Sequence, residues 1–551
     1  MIVPQATLAR IREWLQIVAA GELPSEGALG VSERHVAYAR DGALALGLVR
    51  STAHGIQVTP LGTTLLATRA RTPAEAAVWR TAIEGSQVHA RYAPDLFADP
   101  APSVELLTTR LHAMGLSDST ARRRASTLLD WRRVVDEQST SLFLAAEPDG
   151  QPREGLRLTH LRVEGFGLLR EVAVDLERFA VIVGRNATGK STLLDVPGFL
   201  ADVLDRGVVE AVRLRATRFE ELVWHGRPDR FGFALEATIP DDLAVDPGLQ
   251  IVRYEVEFRK DEAEGVAVGW EQLLLRPAGP PPPTIRTARR PRGWRLIASL
   301  SQTGSAYYRA ESDSRSWKTV FNIGTGRLAL SNLPEDRDRL PVANRFRDAL
   351  RSGVRRLQLD PAALRTAASP LLPRYLVSDG SNLALVVSEL LRRDPRRFAA
   401  WLAQIREALP EVRSVTVVER AEDRHQYLQV EDRSGSRFPA WRLSEGTLRL
   451  LALTLIPYAA EPDAMFLIEE PENGIHPQAL QVVVETFRNS PAQILVASHS
   501  PVLVGICEPN ELLCFSRKKD ETRVVRGEDH PVLSKRDPTF DPGLYFAAGV
   551  L

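Results

Sequence analysis

Apolar residues recur at helical spacing near the start of the chain, where Leu8, Ile11, Leu15 and Val18 share one face of Ala6–Ala19. A second helical run covers Ser32–Leu46. The following LVRSTAHGIQVTPLG reads as two short strands about a His54–Gly55 turn. Helices followed by such a hairpin are the element order of a helix-turn-helix with a wing. Residues 1–70 are therefore expected to form a winged-helix-like domain. Residues 71–145 are expected to be helical, with a helix-turn-helix-like stretch over Val104–Val135. There Ala121, Ala125, Leu128 and Val135 fall on one face and leave Arg122, Arg123, Arg124 and Arg133 outside it. Basic residues outside an apolar helix face are either a solvated surface or a DNA contact. Both readings stay open for these four.

Residues 146–155 (AEPDGQPREG) have linker composition, and beyond them the pattern changes. LRLTHLRVEGFGLL and EVAVDL alternate as strands do, whereas FAVIVG (179–184) is a continuous apolar run, as in a buried parallel strand. This implies an α/β fold for residues 156–551: a mixed sheet with flanking helices, preceded by the α-rich N-terminal region. PAGPPPP (277–283) is neither helix nor central strand, so it marks a surface loop. The stretch from about 200 to 375 mixes strands and helices and reads as an insertion. No heptad pattern long enough for a coiled-coil arm is found there.

Composition narrows the setting. A chain of 551 residues calls for two or three domains. With 70 basic and 70 acidic residues the net charge is zero, so any nucleic-acid site must be local. Two cysteines, Cys507 and Cys514, build neither a disulfide scaffold nor a common zinc pattern. The N-terminus lacks a signal-peptide apolar run, and nowhere do about 18 apolar residues follow one another. A cytoplasmic protein without a membrane partner is expected.

The chemistry concentrates in three segments. GRNATGKS (Gly184, Arg185, Asn186, Ala187, Thr188, Gly189, Lys190, Ser191), followed by Thr192, comes directly after the buried strand and opens a helical segment. Glycines there let successive backbone N–H groups turn inward around phosphates. Lys190 neutralises β/γ charge, Ser191 reaches Mg²⁺, and the helix N-terminus adds a positive end. MFLIEEPENGIHP (465–477) is an apolar strand that delivers Glu469 and Glu470 to the carboxyl edge of a parallel sheet. Glu469 is a metal candidate there, and Glu470 is placed to polarise an attacking water. QILVASHSP is a second buried run that reaches the same edge and ends at His499, a γ-phosphate hydrogen-bond candidate.

In the order GRNATGKST, RLSEGTLRLLAL, FLIEEPENGIHP and ASHSP, these segments resemble the Walker A, signature, Walker B/D-loop and H-loop motifs of ABC/SMC/RecF-type ATPases. The likeness is greatest to the soluble RecF-like and OLD-like ATPases of DNA repair and prokaryotic defence operons. It covers Leu156 to about Gly527, and DGSNL (379–383) resembles a segment these ATPases carry before the signature. The resemblance implies an ATPase using ATP and Mg²⁺. It also implies that Ser444 and Gly446 of the signature close on the γ-phosphate held by the other subunit of a homodimer.

Three departures stand out. Glu469 takes a place where many relatives have Asp. Glu445 puts a carboxylate in the signature. Pro197–Gly198 is expected to kink the helix after the phosphate loop or end it early. No glutamine is identified by spacing as a Q-loop residue. Few residues follow His499 and they contain no DxD, so a Toprim nuclease in this chain is not expected. The expected function is an ATP-driven switch that acts on DNA or on a separately encoded nuclease or toxin, in anti-phage defence or DNA repair. The alternatives are an ATP-responsive transcription regulator and an ABC-transporter nucleotide-binding subunit.

Overall fold

The computed structural model describes residues 6–20, 24–25, 32–52, 55–68, 73–98, 102–113, 116–140, 155–244, 246–263, 265–287, 289–312, 318–533 and 542–547. The turn residue His54 and the side chain of Arg133 lie outside the described residues, as does nearly all of the expected linker. Contacts divide the chain into two compact units, Met1–Pro148 and Asp149–Leu551.

The first unit contains α1 (Leu8–Ala19), α2 (Glu33–Ala45), the antiparallel pair β1 (Val49–Thr52) and β2 (Gly55–Val58), and α3 (Pro60–Ala67). It continues with α4 (Pro73–Glu84), α5 (Gln87–Tyr92), α6 (Val104–His112) and α7 (Asp118–Thr140). Thr7 caps α1 by accepting from the Arg10 N–H. A single apolar core takes Ile11, Trp14 and Leu65 together with Trp79, Leu107, Leu128 and Trp131. Two buried polar contacts cross the same region. Arg12 Nη1 lies 2.8 Å from Glu75 Oε1, and Trp131 Nε1 donates to the Ala6 carbonyl over 2.9 Å. Segments 1–70 and 71–145, read above as separate domains, thus share one core. On α7, Ala121, Ala125, Leu128 and Val135 face inward and Arg122 and Arg123 are exposed. Arg124 is half-buried near Tyr38 and Tyr92, and burial lowers its pKa from the ordinary arginine value.

The second unit opens with β3 (Arg157–Phe166), β4 (Leu169–Asp175), β5 (Phe179–Gly184), α8 (Lys190–Arg206) and α9 (Val208–Arg213). Six strands follow, β6 (Arg230–Thr238), β7 (Ile251–Asp261), β8 (Gly265–Arg276), β9 (Arg295–Leu300), β10 (Ser305–Arg309) and β11 (Lys318–Asn322). They pair with β3 and β4 into one eight-stranded antiparallel sheet, ordered β11-β10-β9-β8-β7-β6-β3-β4. The stretch from 200 to 375 therefore completes a sheet begun before the phosphate loop. The proline-rich 277–283 loop is tied down by that sheet's buried arginines. Arg276 Nη1 donates to the Pro277 carbonyl at 2.9 Å, and Arg253 Nη2 donates to the Thr284 carbonyl at 2.7 Å.

After α10 (Pro341–Asp348) come β12 (Val354–Leu357), α11 (Pro361–Leu364), α12 (Leu383–Arg393) and α13 (Pro395–Ala408). Next is the small sheet of β13 (Val412–Glu419), β14 (Gln426–Asp432) and β15 (Arg437–Pro439). Then follow α14 (Glu445–Ala459), β16 (Met465–Glu469), α15 (Pro477–Arg488), β17 (Gln493–Ser498), α16 (Pro501–Ile506), β18 (Leu512–Lys518), β19 (Glu521–Arg526) and α17 (Pro542–Ala547). The central sheet runs β12-β16-β17-β5-β18-β19, parallel except for the β18–β19 pair. β5 and β17 are buried along their whole length, which is why they read as unbroken apolar runs.

The helix does not end early at Pro197–Gly198: α8 continues to Arg206 with Pro197 inside it. Proline removes one backbone hydrogen bond. Against that loss, Leu193, Leu194, Val196, Phe199, Leu200 and Val203 are all buried in the core that joins the two sheets. Asp195 adds a two-pronged pairing with Arg215, at 2.7 and 2.8 Å. Packing overrides the local penalty.

Phe199 is the centre of this core. It is fully buried, with ring centroids 5.6 Å from Phe166, 5.7 Å from Phe231, 5.9 Å from Phe233 and 5.4 Å from Phe258. Phe199→Ala should lower the stability of the second unit by about 3–5 kcal/mol through lost burial and the cavity left behind. Urea unfolding followed by circular dichroism measures it, and an unshifted midpoint would show that this cluster does not hold the sheets together.

Candidate active site

The phosphate-loop geometry begins with the tight approach of β5 and β18. A Cβ on Gly184 would lie 2.2 Å from the Phe515 carbonyl oxygen, and the residue has φ +147°, so only glycine fits. The chain then turns through Arg185, Asn186 and Ala187, which are exposed, with Ala187 in the left-handed region at φ +59°. Thr188 is buried. Its hydroxyl donates to the Arg185 carbonyl at 2.8 Å, and its own carbonyl accepts from the Thr522 hydroxyl of β19 at 2.8 Å. Gly189, at φ +97°, is the N-cap of α8. A loop knotted on both sides in this way aims the first N–H groups of α8 at one point.

Lys190 is buried at the first position of α8. Its ammonium donates to the carbonyls of Gly184 and Arg185 at 2.8 and 2.9 Å, so the lysine closes its own loop. Burial pushes the Lys190 ammonium down to about 8, against the opposing attraction of the Glu470 and Glu469 carboxylates. Ser191 follows, with its hydroxyl 2.9 Å from Glu469 Oε2. Thr192 packs against the β3–β4 hairpin, where a Cβ on Gly167 would come 2.8 Å from its methyl.

The carboxylates arrive by strand register. Glu469 lies opposite Ala497 in the β16–β17 pair, and Ser498 lies opposite Val183 in β17–β5. The last residues of all three strands therefore stand at one edge. Glu470 leaves β16 in the left-handed region at φ +48°, a conformation that costs a non-glycine residue about 1–2 kcal/mol. Its N–H donates to the Ala497 carbonyl at 2.8 Å, and its Oε2 accepts from Asn473 Nδ2 at 2.7 Å. His499 Nε2 stands 4.0 Å from Glu470 Oε1. Behind them, Glu472 accepts from the Ser498 hydroxyl at 2.6 Å and from the His499 N–H at 3.3 Å. Its second oxygen is buried without a partner.

The signature residues lie in a different arrangement. Ser444 is the N-cap of α14, its hydroxyl accepting from the Thr447 N–H at 3.2 Å. Gly446 rests on the loop after β16, where a Cβ would meet the Gly474 carbonyl at 2.3 Å. Glu445 is half-exposed and pairs with Arg449 at 2.9 Å, so its charge is largely answered within its own helix. One edge thus collects Gly184 to Thr192, Glu469, Glu470 and His499. The two signature residues join it only through the Gly474 loop. Sequence reasoning passed over Glu472, Asn473 and Thr522. The first two stand inside the EEPENG motif, but nothing in their spacing marks which oxygen each one holds.

A buried ammonium beside a helix N-terminus is an arrangement that can hold a polyphosphate, and oxygen donors and an imidazole stand next to it. Comparison with known proteins agrees in kind. Residues 179–505 match the family described as "AAA domain, putative AbiEii toxin, Type IV TA system". No curated protein matches the chain. Among solved structures it is similar to the Smc head domain bound to the C-terminal domain of ScpA derived from Pyrococcus furiosus. That match has 15% identity and a TM-score of 0.39, covering 67% of this chain and 96% of that one. It is also similar to the SMC head domain from Thermotoga maritima, at 12% identity and a TM-score of 0.30, covering 67% and 98%. With the family model spanning more than half of its residues, the chain belongs to that AAA-domain family, as a RecF-like P-loop ATPase.

Proposed function

We propose that the protein is an ATP-hydrolysing switch whose heads pair around ATP and whose motion acts on DNA or on a separate effector. The observation that carries this reading is the convergence of Lys190, Ser191, Glu469, Glu470 and His499 on one sheet edge. In this reading Lys190 neutralises the β- and γ-phosphates, and the N–H groups from Arg185 to Thr192 cradle them. Ser191 and Glu469, two oxygen donors 2.9 Å apart, would hold Mg²⁺, which would offset the charge of the phosphates. Glu470, oriented by Asn473, takes the proton of the attacking water. His499 hydrogen-bonds the γ-phosphate, its backbone fixed by Glu472. Ser444 and Gly446 meet the γ-phosphate held by a second copy, because α14 presents an N-terminus, a favourable end for an anion.

The rest of the proposal concerns partners. Arg122 and Arg123 are exposed on α7 and suit contact with duplex DNA through its backbone. A separately encoded nuclease or toxin is the alternative recipient, in a cytoplasmic defence or repair system. Among the described residues, no helix is long and apolar enough to cross a membrane.

Turnover tests the core of this reading. Glu470→Gln should bind Mg·ATP as before while turnover falls by about 10²–10⁴, and it should accumulate as an ATP-dependent dimer that adding Ser444→Arg reverses. Light scattering with and without ATP reads the mass. Wild-type turnover would sink the base assignment, and a mass indifferent to ATP would sink the two-head switch.

The buried lysine makes a pH prediction. With its pKa at about 8 in the free protein, Lys190 is charged below that value and ready for phosphate. Bound phosphate raises the pKa, so binding takes up a proton only when the pH exceeds about 8. Nucleotide affinity should fall by up to about tenfold per pH unit above that point and stay flat below pH 7. Calorimetry in buffers of different ionisation enthalpy counts the proton. No uptake at pH 9 would remove the proposed role of Lys190.

For DNA, Arg122→Ala with Arg123→Ala should weaken duplex binding and reduce the salt slope by up to about two. An unchanged affinity at low salt returns both residues to the solvated surface.

A further inference from the structure

We infer that the arginine-rich loop between β8 and β9, laid across the outer face of the eight-stranded sheet, is a docking site for the phosphate backbone of duplex DNA. The inference rests on the reading above in which the switch acts on DNA, and it adds a place on the second unit where the duplex lies. From Gln272 to Ala310 the chain carries seven arginines and no lysine, aspartate or glutamate. In a chain whose net charge is zero, this stretch is a strong local concentration of positive charge.

The loop is fixed from beneath. Along β7, Tyr254, Val256 and Phe258 face the core, so Arg253, Glu255 and Glu257 point to the opposite face. Fully buried Arg253 donates to Glu236 at 2.9 Å and to the Thr284 and Ile285 carbonyls at 2.7 and 3.2 Å. Glu255 Oε2 accepts from the Thr287 N–H at 2.9 Å, and Arg276 Nε donates to Glu236 at 3.0 Å. Ile285 is buried over Gly232, where a Cβ would stand 3.2 Å from its Cδ1. A buried charge network adds little net stability. Its effect here is positional, because it pins Thr284 to Thr287 onto the sheet.

The same network uses up the carboxylates. Arg253 and Arg276 take Glu236 and Glu255, Arg286 takes Glu257 at 3.1 Å, and Arg295 takes Asp246 at 3.0 Å. Arg289, Arg290 and Arg292 are exposed and, among the described residues, pair with no carboxylate. A guanidinium forks onto two phosphate oxygens and is more weakly hydrated than an ammonium, so such arginines favour a phosphate partner. The segment RTARRPRG (286–293) holds no aromatic or large aliphatic residue, the anchors that a protein interface or a lipid surface uses. Three residues of chain span at most about 11 Å, so the three arginines suit neighbouring phosphates of one backbone.

The experiment uses the full chain with short labelled duplexes of two unrelated sequences, titrated by fluorescence anisotropy over a range of salt. Arg289→Gln, Arg290→Gln and Arg292→Gln together should weaken binding by at least about tenfold at low salt, equally on both duplexes. The slope of log affinity against log salt should flatten by about two to three. Arg289→Lys, Arg290→Lys and Arg292→Lys together should keep most of that slope, since charge is retained without the fork. ATP turnover without DNA should match wild type in both variants, which shows that the unit is folded. A triple glutamine variant with wild-type affinity and slope overturns this site and leaves DNA contact by Arg122 and Arg123 standing. Polyglutamate that displaces the duplex at equal charge overturns it in favour of an acidic protein. A wild-type chain that binds neither duplex removes this site and the DNA reading together.

Discussion

Everything at the active edge depends on the parallel register of three buried strands. Gly184 ends β5, Glu469 ends β16 and Ser498 ends β17, and the ladder pairs Glu469 with Ala497 and Ser498 with Val183. The hydrogen bond between Ser191 and Glu469 joins residues 278 positions apart, and only this register makes it possible. A slip of one residue would turn every side chain of a strand to the opposite face. The apolar runs FAVIVG, MFLI and QILVAS hold the register because they are buried on both faces, so a slipped alignment would leave the core mismatched.

On that frame the groups at the edge are held by strain and by internal pairing. Ala187 and Glu470 both adopt left-handed backbone without being glycine, at about 1–2 kcal/mol each. The strain at Glu470 lifts its carboxylate out of the strand direction and toward His499, and the Ala497 carbonyl and Asn473 amide keep it there. Lys190 is held by two carbonyls of its own loop and, among the described residues, by no direct carboxylate partner. A buried cation served by neutral acceptors retains its attraction for an anion, which a tight salt bridge would have cancelled.

The parts of this arrangement that were legible in the sequence are those whose function is local. A phosphate loop needs a strand, glycines and a helix in immediate succession, and a carboxylate at a strand end follows an apolar run. The rest was written in pairings between distant segments. Strands β6 to β11 take their meaning from β3, to which β6 bonds, so their residues read as an insertion until the sheet is assembled. The single core of the first unit depends on Arg12 meeting Glu75 and Trp131 meeting Ala6, contacts that no periodicity displays. Pro197 is the opposite case: its local signal for ending the helix was strong, and burial of Phe199 and its neighbours outweighed it. Asn473 and Glu472 were in plain view within the EEPENG motif, but their partners depend on where Glu470 and Ser498 stand in space.

Within a single chain the first turn of α14 touches the loop that carries Glu470. Gly446 rests so closely on Gly474 that not even a methyl group fits between them, and the Glu445 side chain covers the same glycine. Gly474 belongs to the short loop that starts at Glu470, whose N–H and carboxylate are held by Ala497 and Asn473. A displacement of the first turn of α14 toward that loop meets backbone atoms with no space left between them. It must pass into the loop, and the residue there with the least stable backbone conformation is Glu470. In the two-head reading proposed above, an anion drawn to the N-terminus of α14 would press through the Gly446–Gly474 contact on the loop that carries Glu470 of the same chain.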